Sequence, residues 1–222
     1  MVAVLPSMKS VTLIAMTVLG AAWVAHSYFG RHAPRPADGV LVSTPPTWGG
    51  LTFERHTAYQ DFGSNQIIPM ATLDITGRVL ARKEYPTEDF GERIRTDLVL
   101  GWGRMSDNRV LDHLTIGQAN RGVEIVLDRA APLKLAEAYG LSINLSVYSD
   151  YDAATEALNS IVVGDVIRLV GWQMRLKNAQ GKIWEGGAGN ERPDQNYGII
   201  LVLKLQVNDQ KKFGNWDAAA AP

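Results

Sequence analysis

Between residues 67 and 207, short segments of the chain alternate apolar and polar residues. The segment GLSINLSVY carries Leu141, Ile143, Leu145 and Val147 at every second position. Successive side chains of a β-strand point to opposite faces of a sheet, so this period of two predicts a strand with one apolar face. The other predicted strands lie in MATLDITGRVLARKEY, TDLVLGW, DHLTIGQ, VEIVLD, DVIRLVGWQMRLK, KIWE and YGIILVLKLQV.

One segment, DYDAATEALNSI, has the spacing of a helix instead. Its apolar residues Tyr151, Ala154, Leu158 and Ile161 recur at three to four residues. Five to eight strands, with one helix before the last of them, resemble a small closed or partly open barrel in the manner of an OB-fold. We therefore expect a mainly β (α+β) fold over residues 67 to 207, an OB-like β-barrel domain with one or two short helices.

An uncharged stretch, VTLIAMTVLGAAWVAHSYF, occupies residues 11 to 29. It is close to the roughly 20 residues that a helix needs to cross a membrane. A cleavable signal peptide is the alternative, but its apolar core is usually shorter, and the aromatic residues near the end suit a membrane interface. We favour a single-pass anchor built on Val11, Leu13, Ile14, Val18, Trp23, Tyr28 and Phe29. We expect the short leader that precedes Val11 to stay in the cytoplasm. This orientation places the chain after the anchor on the periplasmic side of the inner membrane.

The residues that follow the predicted anchor, GRHAPRPADGVLVSTPPTWGG, are rich in proline and glycine. Such a composition is typical of an extended linker. We expect residues 30 to 66 to form a tether and an ambiguous segment that lie outside the core, and residues 208 to 222 to form a tail.

Composition excludes several classes of site. The chain has no cysteine, which removes disulfides, thiolate metal sites and thiol nucleophiles. Its formal net charge of −1 gives no overall attraction to nucleic acid, which we do not expect as a partner. Of the four histidines, only His113 lies within residues 67 to 207, and a lone histidine does not make a zinc site. The sequence predicts no cofactor, no metal and no catalytic residue.

The stretch GWGRMSDNRVLDHL follows a predicted strand and contains two glycines. A dinucleotide fingerprint needs a third glycine where this chain has Ser106, and the Gly-Lys-Ser/Thr of a P-loop is absent. The structural interpretation is that Gly101 and Gly103 form a turn in which Trp102 packs, while Ser106 or Asp107 caps a short helix.

Two further roles for this stretch stay open at the level of sequence. His113 is a candidate general base that Asp107 orients, which predicts a hydrolase-like enzyme. Alternatively the stretch contacts a partner, since tryptophan is frequent in interface hot spots. The candidate residues for a partner contact or a structural turn are Trp48, Trp102, Arg104, Asp107, Trp184 and Trp216.

Several segments resemble an uncharacterised family of bacterial membrane-anchored or exported proteins with a Gly-Trp-Gly-x-Met-Ser-Asp motif. They are LGWGRMSD with VLDHLTI after it, LSINLSV at 141 to 147 and VVGDVIRLVGW at 162 to 172. The resemblance covers roughly residues 68 to 205. Leu141 and Ser146 stand where the family pattern His-Ser-Ala-Asn-Met-His has histidines, and EGGAGNERPDQNYG replaces a Ser-Ser-Leu-Thr-Arg hairpin and its cysteine. Their loss argues against a catalytic role in this member.

These observations favour a non-enzymatic, membrane-anchored accessory or assembly subunit of a larger bacterial membrane protein complex. Its partners would be integral membrane subunits and, through the anchor, the lipid bilayer. The alternatives are the periplasmic enzyme that uses His113 and Asp107, and a module that binds a small ligand or glycan in the mouth of the barrel.

Overall fold

A computed structural model describes residues 33–50, 60–62, 65–85, 94–119, 121–185, 197–208 and 211–213. Within these ranges the fold is mainly β, as the alternation predicted. The strands are β1 (Thr47–Gly50), β2 (Gln60–Phe62), β3 (Asn65–Glu84), β4 (Thr96–Gly101), β5 (Leu114–Ala119), β6 (Gly122–Leu127), β7 (Ser142–Tyr148), β8 (Val166–Asn178), β9 (Ile183–Glu185), β10 (Tyr197–Val207) and β11 (Lys211–Phe213). The α-helices are α1 (Asn108–Leu111), α2 (Leu135–Gly140) and α3 (Asp152–Asn159), one more than expected.

Five strands form the centre of the main sheet. Their pairing order is β3-β4-β7-β10-β8, and β8 also pairs with β3. All these pairs are antiparallel except that of β7 with β10, which is parallel. The short strands β1 and β2 add to β3, β9 adds to β8 and β11 adds to β10. Strands β5 and β6 form a separate two-stranded sheet.

Strand β3 runs for 20 residues and pairs with both β8 and β4. Its register shifts between Pro69 and Ala71 against β8, and again around Leu80 against β4. Such bulges bend a strand and increase its twist, which lets one long strand serve two neighbours. Gly77 pairs in register with Ile167 of β8, and the shift against β4 lies at Leu80.

The main core lies on one face of these five strands. Alternate residues of each strand point into it, and α3 covers it with Leu158, followed by Ile161. One close approach needs a glycine: a Cβ on Gly171 of β8 would lie 2.3 Å from the carbonyl oxygen of Leu201 in β10. The fully buried members from the strands include Leu73, Ile75, Leu98, Leu100, Leu145, Ile167, Leu169 and Ile200.

A second apolar layer covers the other face of β4 and β7. The β5–β6 hairpin, α1 and α2 pack there around Val99, Met105, Val110, Ile125 and Ala138. Every residue of β7 is therefore buried, including those of its polar face. An alternating pattern usually indicates a strand with one solvated face, and the hairpin removes that exposure here.

Residues 33 to 50 differ from the tether that we expected, because they pack on the domain. Val42 is 4% exposed and belongs to the main core, against which Leu41 and Trp48 also pack. Strand β1 adds to β3, with Trp48 opposite Leu73. Proline and glycine favour an extended backbone, but Leu41, Val42 and Trp48 supply apolar surface that is stabilised by burial. Two further strands lie in segments that we expected to be outside the β domain: β2 lies in the expected tether, and β11 lies in the expected tail.

No helix of the described ranges is long and apolar enough to cross a membrane. The predicted anchor falls outside the described residues. This applies to each of its candidate residues, Val11, Leu13, Ile14, Val18, Trp23, Tyr28 and Phe29.

Candidate functional site

The stretch after β4 folds as a turn that leads into a short helix. The backbone N–H of Trp102 donates to the carbonyl of Leu141 at 3.0 Å. Gly103 follows with φ +54°, a left-handed conformation that favours glycine. A 3₁₀ helix, Gly103–Ser106, then leads to Asp107, whose side chain caps α1 by accepting from the N–H of Arg109 at 2.9 Å.

The same turn binds residues 33 to 42, which we call the strap. The Ser106 hydroxyl oxygen accepts from the N–H groups of Leu41 (3.1 Å) and Val42 (3.0 Å), and it donates to the carbonyl of Gly103 (2.7 Å). The N–H of Gly103 in turn donates to the carbonyl of Val42 at 2.7 Å. One buried serine therefore fixes two consecutive residues of the strap.

The next two residues of the turn hold the first half of the strap. Asp107 accepts from the N–H of Gly39 at 3.0 Å, and the Asn108 amide donates to the carbonyl of Pro36 at 2.7 Å. The buried Arg78 donates to the Asn108 side-chain oxygen at 2.8 Å, which orients that amide. Most of these hydrogen bonds are made to main-chain groups of the strap. They therefore depend on an extended backbone more than on particular side chains.

An ion pair and a main-chain hydrogen bond secure the N-terminal end of the strap. Arg35 in the strap forms a two-bond pair with Asp112, each bond 2.7 Å long. The hydrogen bond from Arg35 lowers the pKa of Asp112. The N–H of Ala33 donates to the carbonyl of Val163 at 2.8 Å. Burial lowers the pKa of Arg78, with the charge of Arg35 acting in the same direction.

Asp107 is held as a carboxylate by its neighbours. The hydrogen bond from the Arg109 side chain, followed by the N–H groups of Arg109 and Gly39, lowers its pKa to about 2 against the opposing effect of desolvation. The side chain of Asp107 is buried, and its oxygens are used by the cap, the guanidinium and the strap. This is the environment of a structural carboxylate.

The structure does not pair His113 with Asp107. The Nδ1 atom of His113 lies 2.9 Å from a carboxylate oxygen of Asp128, whose pKa is lowered by that hydrogen bond. Asp107 instead bonds to Gly39 and Arg109. An enzyme that uses His113 as its base would therefore have Asp128 as the orienting carboxylate, and not Asp107 as the sequence suggested.

The remaining candidate contact residues fall into different surroundings. Trp102 is 7% exposed and belongs to the main core, so its ring is not available to a partner. Trp48 is partly buried, and Arg104 pairs with Glu137 of α2 at 2.8 Å. Only the backbone of Trp184 is described, in β9, and Trp216 falls outside the described residues.

Sequence reasoning missed a buried polar cluster on the outer face of β4 and β7. Asp97, fully buried, forms an ion pair with Arg121 at 2.8 Å and accepts from the Ser146 hydroxyl at 2.7 Å. The Asn144 amide donates to the carbonyl of Arg121 at 2.8 Å and accepts from Gln118 at 2.7 Å. The cluster fastens the turn of the β5–β6 hairpin to the main sheet.

Two signals in the sequence could have indicated this cluster. Asp97 is a charged residue at the start of the apolar run TDLVLG, and buried charges are almost always paired. Arg121 has φ +62°, which is uncommon for a residue other than glycine and is held here by its contacts. The ring of Tyr85 lies 4.1 Å from the Arg121 guanidinium, and burial raises the pKa of that tyrosine.

Comparison of the chain with models of protein families, with curated proteins and with solved structures found no match. The resemblance to the bacterial family stays a prediction. In the described part of the chain, no group of three or more histidine, aspartate and glutamate side chains is arranged to hold a metal ion. Function therefore has to be argued from the contacts themselves.

The Asp107 contacts predict a particular pH dependence. Because folding lowers this pKa, the contribution of the carboxylate to stability is complete above its unfolded pKa near 4 and is lost as the pH falls towards 2. Asp107→Asn keeps a good cap but loses the charge. The difference in the free energy of unfolding between wild type and Asp107→Asn, measured with urea, should be largest at pH 6 and shrink towards pH 2. An equal difference at both values would contradict the assignment.

The buried cluster predicts a large cost for removing Arg121. Arg121→Met leaves the Asp97 carboxylate without its guanidinium partner, which costs about 3–5 kcal/mol for a buried pair. Arg168→Ala is the matched control, because its pair with Asp74 is about half exposed and such pairs contribute roughly 0–1 kcal/mol. Urea unfolding at pH 7 measures the free energy of unfolding of both variants. A similar loss of stability in the two would contradict the role of Arg121 in fastening the hairpin.

Proposed function

We propose that this protein is a single-pass, membrane-anchored accessory or assembly subunit of a larger bacterial membrane protein complex, with a non-enzymatic domain in the periplasm. The observation that carries the proposal is the capture of the strap by residues 106 to 112. The strap begins four residues after the end of the predicted anchor. It connects that anchor to the folded domain through ordered contacts.

This connection limits where the domain lies. From residue 29 to residue 33 an extended chain reaches about 10–15 Å. A flexible tether of the length first expected, residues 30 to 66, would separate its ends by about 35 Å on average. With the strap bound, the domain is held next to the bilayer in a restricted orientation. A pre-positioned domain loses less freedom when it binds a neighbouring membrane subunit, so modest contacts suffice.

The proposed domain is an OB-like β-barrel. The pairing order that runs from β3 through β4, β7, β10 and β8 back to β3 supports this, as does the position of α3 between β7 and β8. A closed ring of strands leaves few free edges, which suits a domain that presents outer surfaces to a partner.

The polar residues of the motif support a structural role over a catalytic one. The strap is bound by hydrogen bonds with Ser106, Asp107 and Asn108, and Asp107 also caps α1. A general base must reach the group that it deprotonates, whereas Asp107 is occupied by Arg109 and Gly39. The proposal includes membership of the bacterial family and the absence of nucleic acid among the partners, as the quoted segments and the net charge of −1 suggest.

The topology can be tested on the full chain. The chain has no cysteine, so a single introduced cysteine is labelled specifically. Glu124→Cys, on an exposed position of β6, should react with a membrane-impermeant maleimide in intact spheroplasts. Ser10→Cys, in the leader, is the matched control and should react only after permeabilisation. The chain should remain in membranes washed with carbonate. The reverse labelling pattern, or release of the chain by carbonate, would refute the proposal.

The assembly role needs a second readout. In a mild detergent the wild-type chain should migrate on a native gel together with other membrane proteins, well above the mass of 24.3 kDa expected for one copy. Ser106→Ala removes the acceptor for two strap amides and should reduce that co-migration while the chain stays in the membrane. Migration of the wild type as a lone chain would count against an accessory subunit.

A further inference from the structure

Arg78, in β3, is a buried cation that has no ion-pair partner in the described part of the chain. The residue is 7% exposed. Two other buried charges, Asp97 and Asp107, are each paired with an arginine, at 2.8 and 2.9 Å. Charged residues are almost never fully buried without a partner, because an unpaired charge away from water costs free energy. Arg78 therefore lacks the counter-charge that its burial requires.

The carboxylates nearest in charge to Arg78 are already paired with other arginines. Asp107 pairs with Arg109, and Asp112 pairs with Arg35. Burial lowers the pKa of Arg78, the charge of Arg35 lowers it further, and the charges of Asp107 and Asp112 raise it. These groups act through space, so none of them is a counter-charge in contact with the Arg78 guanidinium.

One edge of this guanidinium has no protein acceptor. Both hydrogen bonds of Arg78 are donated by Nη1, to the carbonyl of Ser106 at 3.1 Å and to the Asn108 side-chain oxygen at 2.8 Å. Within the described ranges, the fully buried side-chain nitrogens without a partner belong to Arg82 and Trp172. The Nε and Nη2 atoms of Arg78 are not among them and make no hydrogen bond, so this edge reaches the surface.

The free edge has the shape that recognises an oxyanion. Nε–H and Nη2–H of a guanidinium are parallel, and they match two oxygens of one carboxylate or phosphate. Arg168 shows this geometry in the same protein, because its Nε and Nη2 donate to the two oxygens of Asp74 at 3.1 and 2.7 Å.

The position of Arg78 is fixed before any ligand arrives. Its backbone lies between β4 and β8, opposite Gly101 and Val166. The two hydrogen bonds from Nη1 hold the other end of the side chain against the turn. A group that is already ordered loses little freedom on binding.

We propose that the Nε–Nη2 edge of Arg78 binds a small oxyanion of the class of inorganic phosphate. The two nitrogens donate parallel hydrogen bonds to two of its oxygens, and the anion supplies the missing counter-charge. Free phosphate and the phosphate of a lipid headgroup share this chemistry. Binding of free phosphate needs neither the predicted anchor nor a partner subunit, so the site goes beyond the proposed function and is tested separately from it.

Calorimetric titration of the full chain with sodium phosphate tests this site, in dodecyl maltoside micelles at pH 7 and constant ionic strength. Wild type should bind phosphate saturably. Arg78→Lys keeps the charge but loses the parallel pair of donors, and it should weaken binding about 10-fold. Arg168→Lys is the matched control, because Asp74 already occupies that edge, and it should leave the affinity unchanged.

A measurement on the wild type covers the case in which Arg78→Lys does not fold. The nuclear magnetic resonance signal of the Arg78 Nε–H should shift with phosphate at the midpoint found by calorimetry, while that of Arg168 stays in place. Repeating the titration in phosphatidylglycerol nanodiscs distinguishes the two sources. A headgroup that fills the site abolishes binding of free phosphate there, whereas an unchanged affinity assigns the site to the free anion.

Three results would overturn the proposal. The first is no saturable binding of phosphate in micelles to a wild-type chain that circular dichroism shows to be folded. The second is a folded Arg78→Lys variant with the wild-type affinity, or with the same loss as Arg168→Lys. The third is an Arg78 Nε–H signal that does not move while phosphate binds, since the anion would then lie elsewhere.

Discussion

The structure depends on the binding of the strap's main chain by the turn after β4. A segment with prolines in it cannot complete its hydrogen bonds internally, so its N–H and C=O groups need partners elsewhere. Ser106, Asp107 and Asn108 provide them from positions that are at most 5% exposed. Arg78 supports the turn from the neighbouring strand β3. The Gly-Trp-Gly stretch is therefore where the N-terminal segment and the domain become one unit.

Polar contacts attach a second element to the same pair of strands. The β5–β6 hairpin covers the outer face of β4 and β7, and the Asp97–Arg121 ion pair fastens its turn. Buried ion pairs contribute less to net stability than to fixing one arrangement over others, since an apolar replacement would often be as stable. The strap and the hairpin thus define the surroundings of β4 and β7, while the alternating apolar residues supply most of the driving force for folding.

The parts of this fold that depend on local pattern were predictable from the sequence. The period of two located β7, apolar runs located β4 and β10, and the helical spacing located α3, because each pattern lies within its own element. We expected the strap to be part of a free tether, because its composition predicts an extended backbone. Composition does not show which residues bind that backbone, and these lie about 65 positions away along the chain. Helix α2 has six residues, too few for a clear period, and the partners of Asp97 come from separate elements.

Hydrogen exchange at the strap tests the central claim most directly. The N–H groups of Gly39, Leu41 and Val42 each donate to a buried side-chain acceptor, so we expect them to exchange far more slowly than in a free peptide. In Ser106→Ala the protection of Leu41 and Val42 should fall, while the amides of β7 keep theirs. Exchange of these three amides at the free-peptide rate in the folded wild type would contradict the account, because residues 33 to 42 would then be the loose tether that their composition suggests.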